Sequence, residues 1–172
     1  MKRLWSPWRS QYIATFAREP RRNRSVSRRR RDCVLCTAAR ARKDERKLVL
    51  WRGKHCFIIM NRYPYNSGHL MVVPYKHASS LTRLTDDEHL EILHGIQRSL
   101  KALESTVSPH GFNIGVNLGR ASGAGIADHV HYHVVPRWSG DTNFMPVFAD
   151  VKVISEDMKQ TWRRLRKAMK SE

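Results

Sequence analysis

Residues 129–136 read HVHYHVVP, three histidines spaced two apart among valines and a tyrosine. A period of two flanked by β-branched and aromatic residues belongs to a strand, so the run predicts a strand over 129–136 with His129, His131 and His133 on one face. Three adjacent imidazoles repel one another when charged and lie unsatisfied when buried and neutral, so each requires a partner, a metal or a substrate. A strand face that merely meets water more often carries Thr, Lys or Glu.

Immediately upstream, FNIGVNLG (112–119) reads as a second strand, joined to the first by the small-residue stretch RASGAGIAD (120–128). Gly119, Gly123 and Gly125 allow such a loop to turn backbone N–H groups toward an anion. Beside the histidines this suggests chemistry at phosphorus. A neutral imidazole is a competent nucleophile there, and donors around the phosphate stabilise the charge that develops.

Farther out, Thr85 followed by Glu88 matches a capping box, and Leu90, Leu93, Ile96, Leu100 and Leu103 recur every three to four residues, which predicts a helix over 86–106. LVLWRG (48–53), HCFIIM (55–60) and HLMVVP (69–74) are β-rich runs separated by turn signals. Near the C-terminus Met158, Trp162, Leu165 and Met169 mark one face of a basic helix that covers its own domain or a twin subunit. The fold class is α+β: an antiparallel sheet with one long helix packed on it, plus a C-terminal helix. The organisation is an N-terminal arm and basic linker over 1–32, a domain over 33–155 and a basic C-terminal helix over 156–172.

The formal net charge of +17 is concentrated at the ends: residues 1–43 hold 14 Lys/Arg against two acids, residues 44–150 hold 11 against 10, and residues 151–172 hold 7 against 3. Nucleic-acid contact, if the protein makes any, therefore belongs to the extensions, above all to the basic arm with the arginine run at 18–31. No uncharged apolar run approaches the ~20 residues that cross a bilayer, so a cytoplasmic protein without a membrane partner is expected. Cysteines 33, 36 and 56 are too few for a disulfide framework. Cys33 and Cys36 have the spacing of a zinc site, with a redox pair as the rival reading; Cys56, inside a predicted strand, reads as a small hydrophobe.

HVHYHVV resembles the signature of the histidine triad (HIT) superfamily. Together with IIMNRYPYNSGHLMVVPYKH (58–77), GFNIGVNLG (111–119), AGIADHVHYHVVPRWSGDTNFMPV (124–147), LWSPWRSQYI (4–13) and the Cys-x-x-Cys, it is similar to the bacterial branch related to fragile-histidine-triad proteins, with diadenosine tetraphosphate phosphorylases and hydrolases. The resemblance implies that His131 attacks the α-phosphate to form a covalent nucleotidyl-histidine, that His133 hydrogen-bonds the phosphate oxygens and that His69 supports the triad. It further implies a nucleotide held by Ile59 and Met71 around the base, Asn61 on the ribose, and Asn117, Gly123 and Gly125 near the phosphates. Structural zinc would be bound by Cys33, Cys36, His77 and His129, and the protein would be a homodimer. On residue type alone, Ile59 and Met71 read as core, Asn61 and Asn117 as turn residues, and His69 as a satisfied buried histidine.

Where many relatives carry a polar run before the triad, this chain has Ala124, Gly125, Ile126 and Ala127. That leaves phosphate contacts to backbone donors, and it leaves hydrolysis and phosphorolysis both open. The expected activity is cleavage of dinucleoside polyphosphates. Its rivals are a nucleoside phosphoramidase and a non-catalytic zinc protein that binds nucleotide or nucleic acid.

Overall fold

The computed structural model describes residues 33–141 and 157–170. The N-terminal arm, the arginine run and residues 142–156 lie outside the described residues. Helix α1 (Val34–Arg40) and the short α2 (Asp44–Lys47) precede strands β1 (Val49–Arg52), β2 (Cys56–Met60) and β3 (Leu70–Pro74). The long α3 (Asp86–Val107) follows, then β4 (Gly111–Val116), β5 (Tyr132–Arg137) and α4 (Met158–Ala168). The five strands form one sheet in the order β1-β2-β3-β5-β4, every neighbouring pair antiparallel.

The long helix begins where the sequence signals it. Thr85 and Glu88 form the reciprocal capping box, with Glu88 N–H donating to Thr85 Oγ1 at 3.3 Å and Thr85 N–H donating to Glu88 Oε2 at 2.7 Å. The expected buried stripe is only partly correct. Leu90 and Leu93 are 54% and 56% exposed, and the face on the sheet consists of Ile92, Gly95, Ile96, Ser99, Ala102 and Leu103. Small residues decide the packing: a Cβ on Gly95 would stand 2.9 Å from Val72 Cγ1 and 3.6 Å from Cys56 Sγ, so the helix axis approaches the strands closely only because this position has no side chain. Gly95→Val is therefore expected to cost about 1–3 kcal/mol in urea unfolding, through overpacking. Unchanged stability would show that the helix can ride outward freely.

Strand β5 is shorter than the predicted run over 129–136, because its neighbour stops supporting it. The register β3–β5 ends at the pair Val72 and Tyr132, and Pro74, two residues beyond Val72, has no N–H to donate to the ladder. Residues 129–131 are held instead by Val130 N–H on the Ala78 carbonyl at 2.7 Å and by side-chain bonds.

Helix α4 covers its own domain. Leu165 and Met169 are buried, Trp162 Nε1–H donates to the Val49 carbonyl at 3.1 Å, and Arg98 donates to the Met169 carbonyl at 2.9 Å. Beneath it, Asp44 joins three elements, accepting from Arg52 Nη2 at 2.8 Å and from Arg166 Nη2 at 3.1 Å. Arg52 also donates to the carbonyls of Ala38, Ala39 and Ala41, so it satisfies the C-terminal end of α1 and ties that helix to the sheet.

Candidate active site and metal centre

Strand pairing aligns Ile59, Met71, His133 and Gly115 as one row across β2, β3, β5 and β4. Ile59 and Met71 are 6% and 7% exposed and form an apolar surface on one side of His133, with Gly115 on the other. His69, two residues before Met71 and hence on the same face, reaches His133 directly: His69 Nε2 lies 2.9 Å from His133 Nδ1. Asn61 Nδ2 stands 3.4 Å from His69 Nδ1. His131 and His133 meet edge to face with ring centroids 4.8 Å apart.

The hydrogen bonds determine which nitrogen carries each proton. Tyr65 N–H donates to His69 Nδ1 at 3.0 Å, so neutral His69 carries its proton on Nε2 and donates it to His133 Nδ1. His133 is thereby left with its proton on Nε2. His131 Nδ1–H donates to the His129 carbonyl at 2.8 Å, which leaves the Nε2 lone pair as the free end of that ring. One imidazole offers an electron pair and its neighbour offers a proton.

Burial depresses the pKa of His131 below the ordinary imidazole value, and burial followed by the nearby charge of His131 brings His133 down to about 4. Both are neutral near pH 7, as a nucleophile and a neutral donor require. Between about 4 and an ordinary ~6.5 the unfolded chain binds a proton at His133 that the folded chain refuses. The stability due to neutral His133 is thus complete above ~6.5 and is lost as pH falls toward the folded value. Thermal unfolding from about pH 7 to pH 4 is expected to show a smaller fall in midpoint for His133→Asn than for the native chain. An equal fall would contradict the buried neutral imidazole.

The remaining histidine of the run, His129, serves a separate cluster. His129 Nδ1 lies 3.4 Å from both Cys33 Sγ and Cys36 Sγ and 3.3 Å from His77 Nδ1, while Cys36 Sγ lies 3.3 Å from His77 Nδ1. These four atoms lie within 4.8 Å of one another and make a Cys2His2 donor set that could hold a metal ion. Ligands ~2.0–2.3 Å from a tetrahedral ion stand ~3.3–3.8 Å apart, so the four separations of 3.3–3.4 Å fall where such an ion requires them. His129 Nε2–H donates to the Pro74 carbonyl at 2.9 Å, leaving Nδ1 as the ligating atom. Both cysteines are free thiols. Cys56 stays outside the cluster, fully buried with its thiol pushed up to about 12 by burial and then by Glu91, an inert hydrophobe.

Of the remaining positions, Asn117 follows β4 and is half-buried, and Gly123 and Gly125 lie exposed in the connection to His129. Gly123 takes φ +84 and its own N–H donates to the Arg120 carbonyl at 3.0 Å, closing a 3-10 turn. Among the described residues no hydrogen bond joins these three positions to the triad. Tyr65 is a contact of the histidine cluster that sequence reasoning misses. Its ring packs 4.8 Å from His69 and 5.8 Å from His133, and its amide sets the His69 tautomer. The one signal for it is an aromatic residue in a turn, four positions before that histidine.

A family model described as the HIT domain matches residues 42–140. The chain belongs to the HIT domain family. An AP-4-A phosphorylase of Mycobacterium tuberculosis (strain ATCC 25618 / H37Rv) is 41% identical to this HIT chain over 165 residues, covering 96% of it and 83% of the relative. An adenosine 5'-monophosphoramidase of Schizosaccharomyces pombe is 32% identical over 74 residues, 43% of this chain and 52% of that one. Among solved structures, a Zn-bound histidine triad family protein from Mycobacterium smegmatis superposes with a TM-score of 0.65 at 24% identity, covering 83% of this chain and 96% of the other. That likeness concerns the HIT fold.

Proposed function

We propose that the protein is a HIT enzyme that cleaves dinucleoside polyphosphates by nucleotidyl transfer to His131. The observation that carries this reading is the tautomer order, which presents the His131 Nε2 lone pair beside the His133 Nε2–H. The base lies between Ile59 and Met71, the ribose meets Asn61, and the α-phosphate stands before the two histidines. Asn117 and the backbone near Gly123 and Gly125 complete the phosphate site. His131 Nε2 attacks the α-phosphorus, the P–O bond to the rest of the polyphosphate breaks, and the leaving chain departs with that electron pair. His133 donates to the phosphoryl oxygen as its charge grows, and His69 holds His133 in the donating tautomer.

In the second step an acceptor oxygen attacks the same phosphorus and the P–N bond breaks, returning the electron pair to His131. Water as acceptor yields a nucleoside monophosphate and a proton, whereas phosphate yields a nucleoside diphosphate. The name of the 41% identical relative favours phosphate. Rapid quenching with diadenosine tetraphosphate is expected to trap protein heavier by one adenylyl group on His131. Labelled phosphate would then appear in adenosine diphosphate. No adduct under any quench would leave a nucleotide-binding protein without this chemistry. The shorter match to a phosphoramidase supports a second reading, in which His131 attacks a P–N bond; an adenosine phosphoramidate turned over faster than the dinucleotide would favour it.

Zinc at Cys33, Cys36, His77 and His129 suits the donor set: soft thiolates and imidazoles in a closed tetrahedron, supplying folding free energy and no catalysis. A reducing, cytoplasmic location suits thiols that must stay unpaired to bind it. Among the described residues no helix is long and apolar enough to cross a membrane. A homodimer is supported by β4, which has no outer neighbour among the described residues, and by Ile114 within it and Leu118 just beyond it, 47% and 44% exposed.

A further inference from the structure

A basic cavity separate from the triad opens where α1 hands over to α2. It measures about 510 Å³ and is lined by Ala41, Arg42, Lys43, Arg46 and Lys47, with Arg62 entering from the β2–β3 connection. We infer that this cavity is a binding site for the phosphate backbone of single-stranded nucleic acid.

The charge there is uncompensated for a structural reason. The two acids of α2 are engaged elsewhere: Asp44 with Arg52 and Arg166, and Glu45 with Arg163 of α4 at 3.6 Å. Both therefore stabilise the packing of α2 on β1 and α4, and the five cations of the cavity keep their charge. All five are exposed, and among the described residues none forms an ion pair or side-chain hydrogen bond. Like charges gathered around a concavity focus a positive field that attracts an anion.

The lining selects the kind of anion. With no aromatic side chain and only Ala41 as an apolar one, the lining offers no aromatic platform for a base, so the main contacts are to phosphates, which carry no sequence preference. Five cations in one open cavity suit several successive phosphates of one chain. A duplex groove is read by an inserted helix or ribbon, whereas this surface is concave and admits a flexible strand. Along the sequence the same segment continues the basic run: residues 18–47 carry 13 Lys/Arg against four acids. Charge along the chain points to the extensions as the place of nucleic-acid contact, and the cavity brings that contact onto the folded domain.

The test uses the full chain and a fluorescent oligouridylate, with anisotropy titrations over a range of salt. Replacing Arg42, Lys43, Arg46 and Lys47 together by Gln is expected to weaken binding at least about tenfold at low salt. It should also reduce the slope of log K against log salt by about 3, from ~0.7 for each phosphate that the four side chains no longer neutralise. The melting temperature and the turnover of diadenosine tetraphosphate should stay as in the native chain, which separates this outcome from misfolding and from failure of the catalytic reading. A second variant with the arginines of 18–31 replaced by Gln should retain the cavity's share of the slope. Native binding and slope in the cavity variant would overturn the inference, as would binding of inorganic polyphosphate but not of oligouridylate.

Discussion

His131→Ala and His131→Asn are both expected to lower turnover of diadenosine tetraphosphate by more than about a hundredfold, and neither should form the adenylyl adduct. The pair is informative because the two variants differ in what they preserve. Asparagine can place an amide N–H where His131 Nδ1–H now donates to the His129 carbonyl, at 2.8 Å, but it has nothing at the position of Nε2. If the role of His131 were only to hold residues 129–131 in place, His131→Asn would keep much of the activity and His131→Ala would lose it. Equal loss in both, with native melting behaviour in the asparagine variant, is the signature of a missing nucleophile. Activity above about a hundredth of native in either variant would remove His131 from that role.

The second large effect concerns the metal. Analysis of the native chain is expected to find about one zinc per chain, and His129→Ala should lose it together with several kcal/mol of stability. His129 does more than face the donor cluster: its Nε2–H satisfies the Pro74 carbonyl where the β3–β5 ladder has ended, and its own carbonyl accepts from His131. Cys36→Ser should lose the metal while sparing both of those bonds, so it should retain more turnover than His129→Ala. Chelation should first expose the chain near residues 18–36 to proteolysis, because a metal shared by Cys33, Cys36, His77 and His129 would tie the start of α1 to the sheet. Unchanged metal content in His129→Ala, or Cys33 and Cys36 recovered as a disulfide from the native protein, would overturn the assignment.

Much of the architecture is legible in the sequence because it depends on local period. The first three strands and the long helix are where alternation, turn residues and the Thr85–Glu88 capping box put them, since each signal acts within a few residues of the element it starts or stops, whereas β4 ends at Val116 and β5 starts only at Tyr132. Helices α1 and α2 are not legible: seven and four residues are too few to show a helical period, and their burial depends on Arg52 and Asp44. Leu90 and Leu93 mislead because a hydrophobic stripe gives weight to large residues, while the contact with the sheet is made where Gly95, Ser99 and Ala102 let the backbone approach.

The candidate site divides in the same way. Three imidazoles at strand spacing, two cysteines at a metal-binding interval and the crowding of cations in the first third of the chain can all be read from neighbouring residues. Which groups meet is settled by the tertiary fold: His129 turns to Cys33, Cys36 and His77, His133 joins the row of Ile59 and Met71 with His131 against its ring, and His69 reaches His133 from 64 positions away. It also decided which cations remain unpaired, by sending Asp44 and Glu45 to α4 and β1. The physical reason is register. Local propensity chooses the strands, but the pairing of one strand with another, and the point where Pro74 ends it, determine which side-chain atoms come within bonding distance.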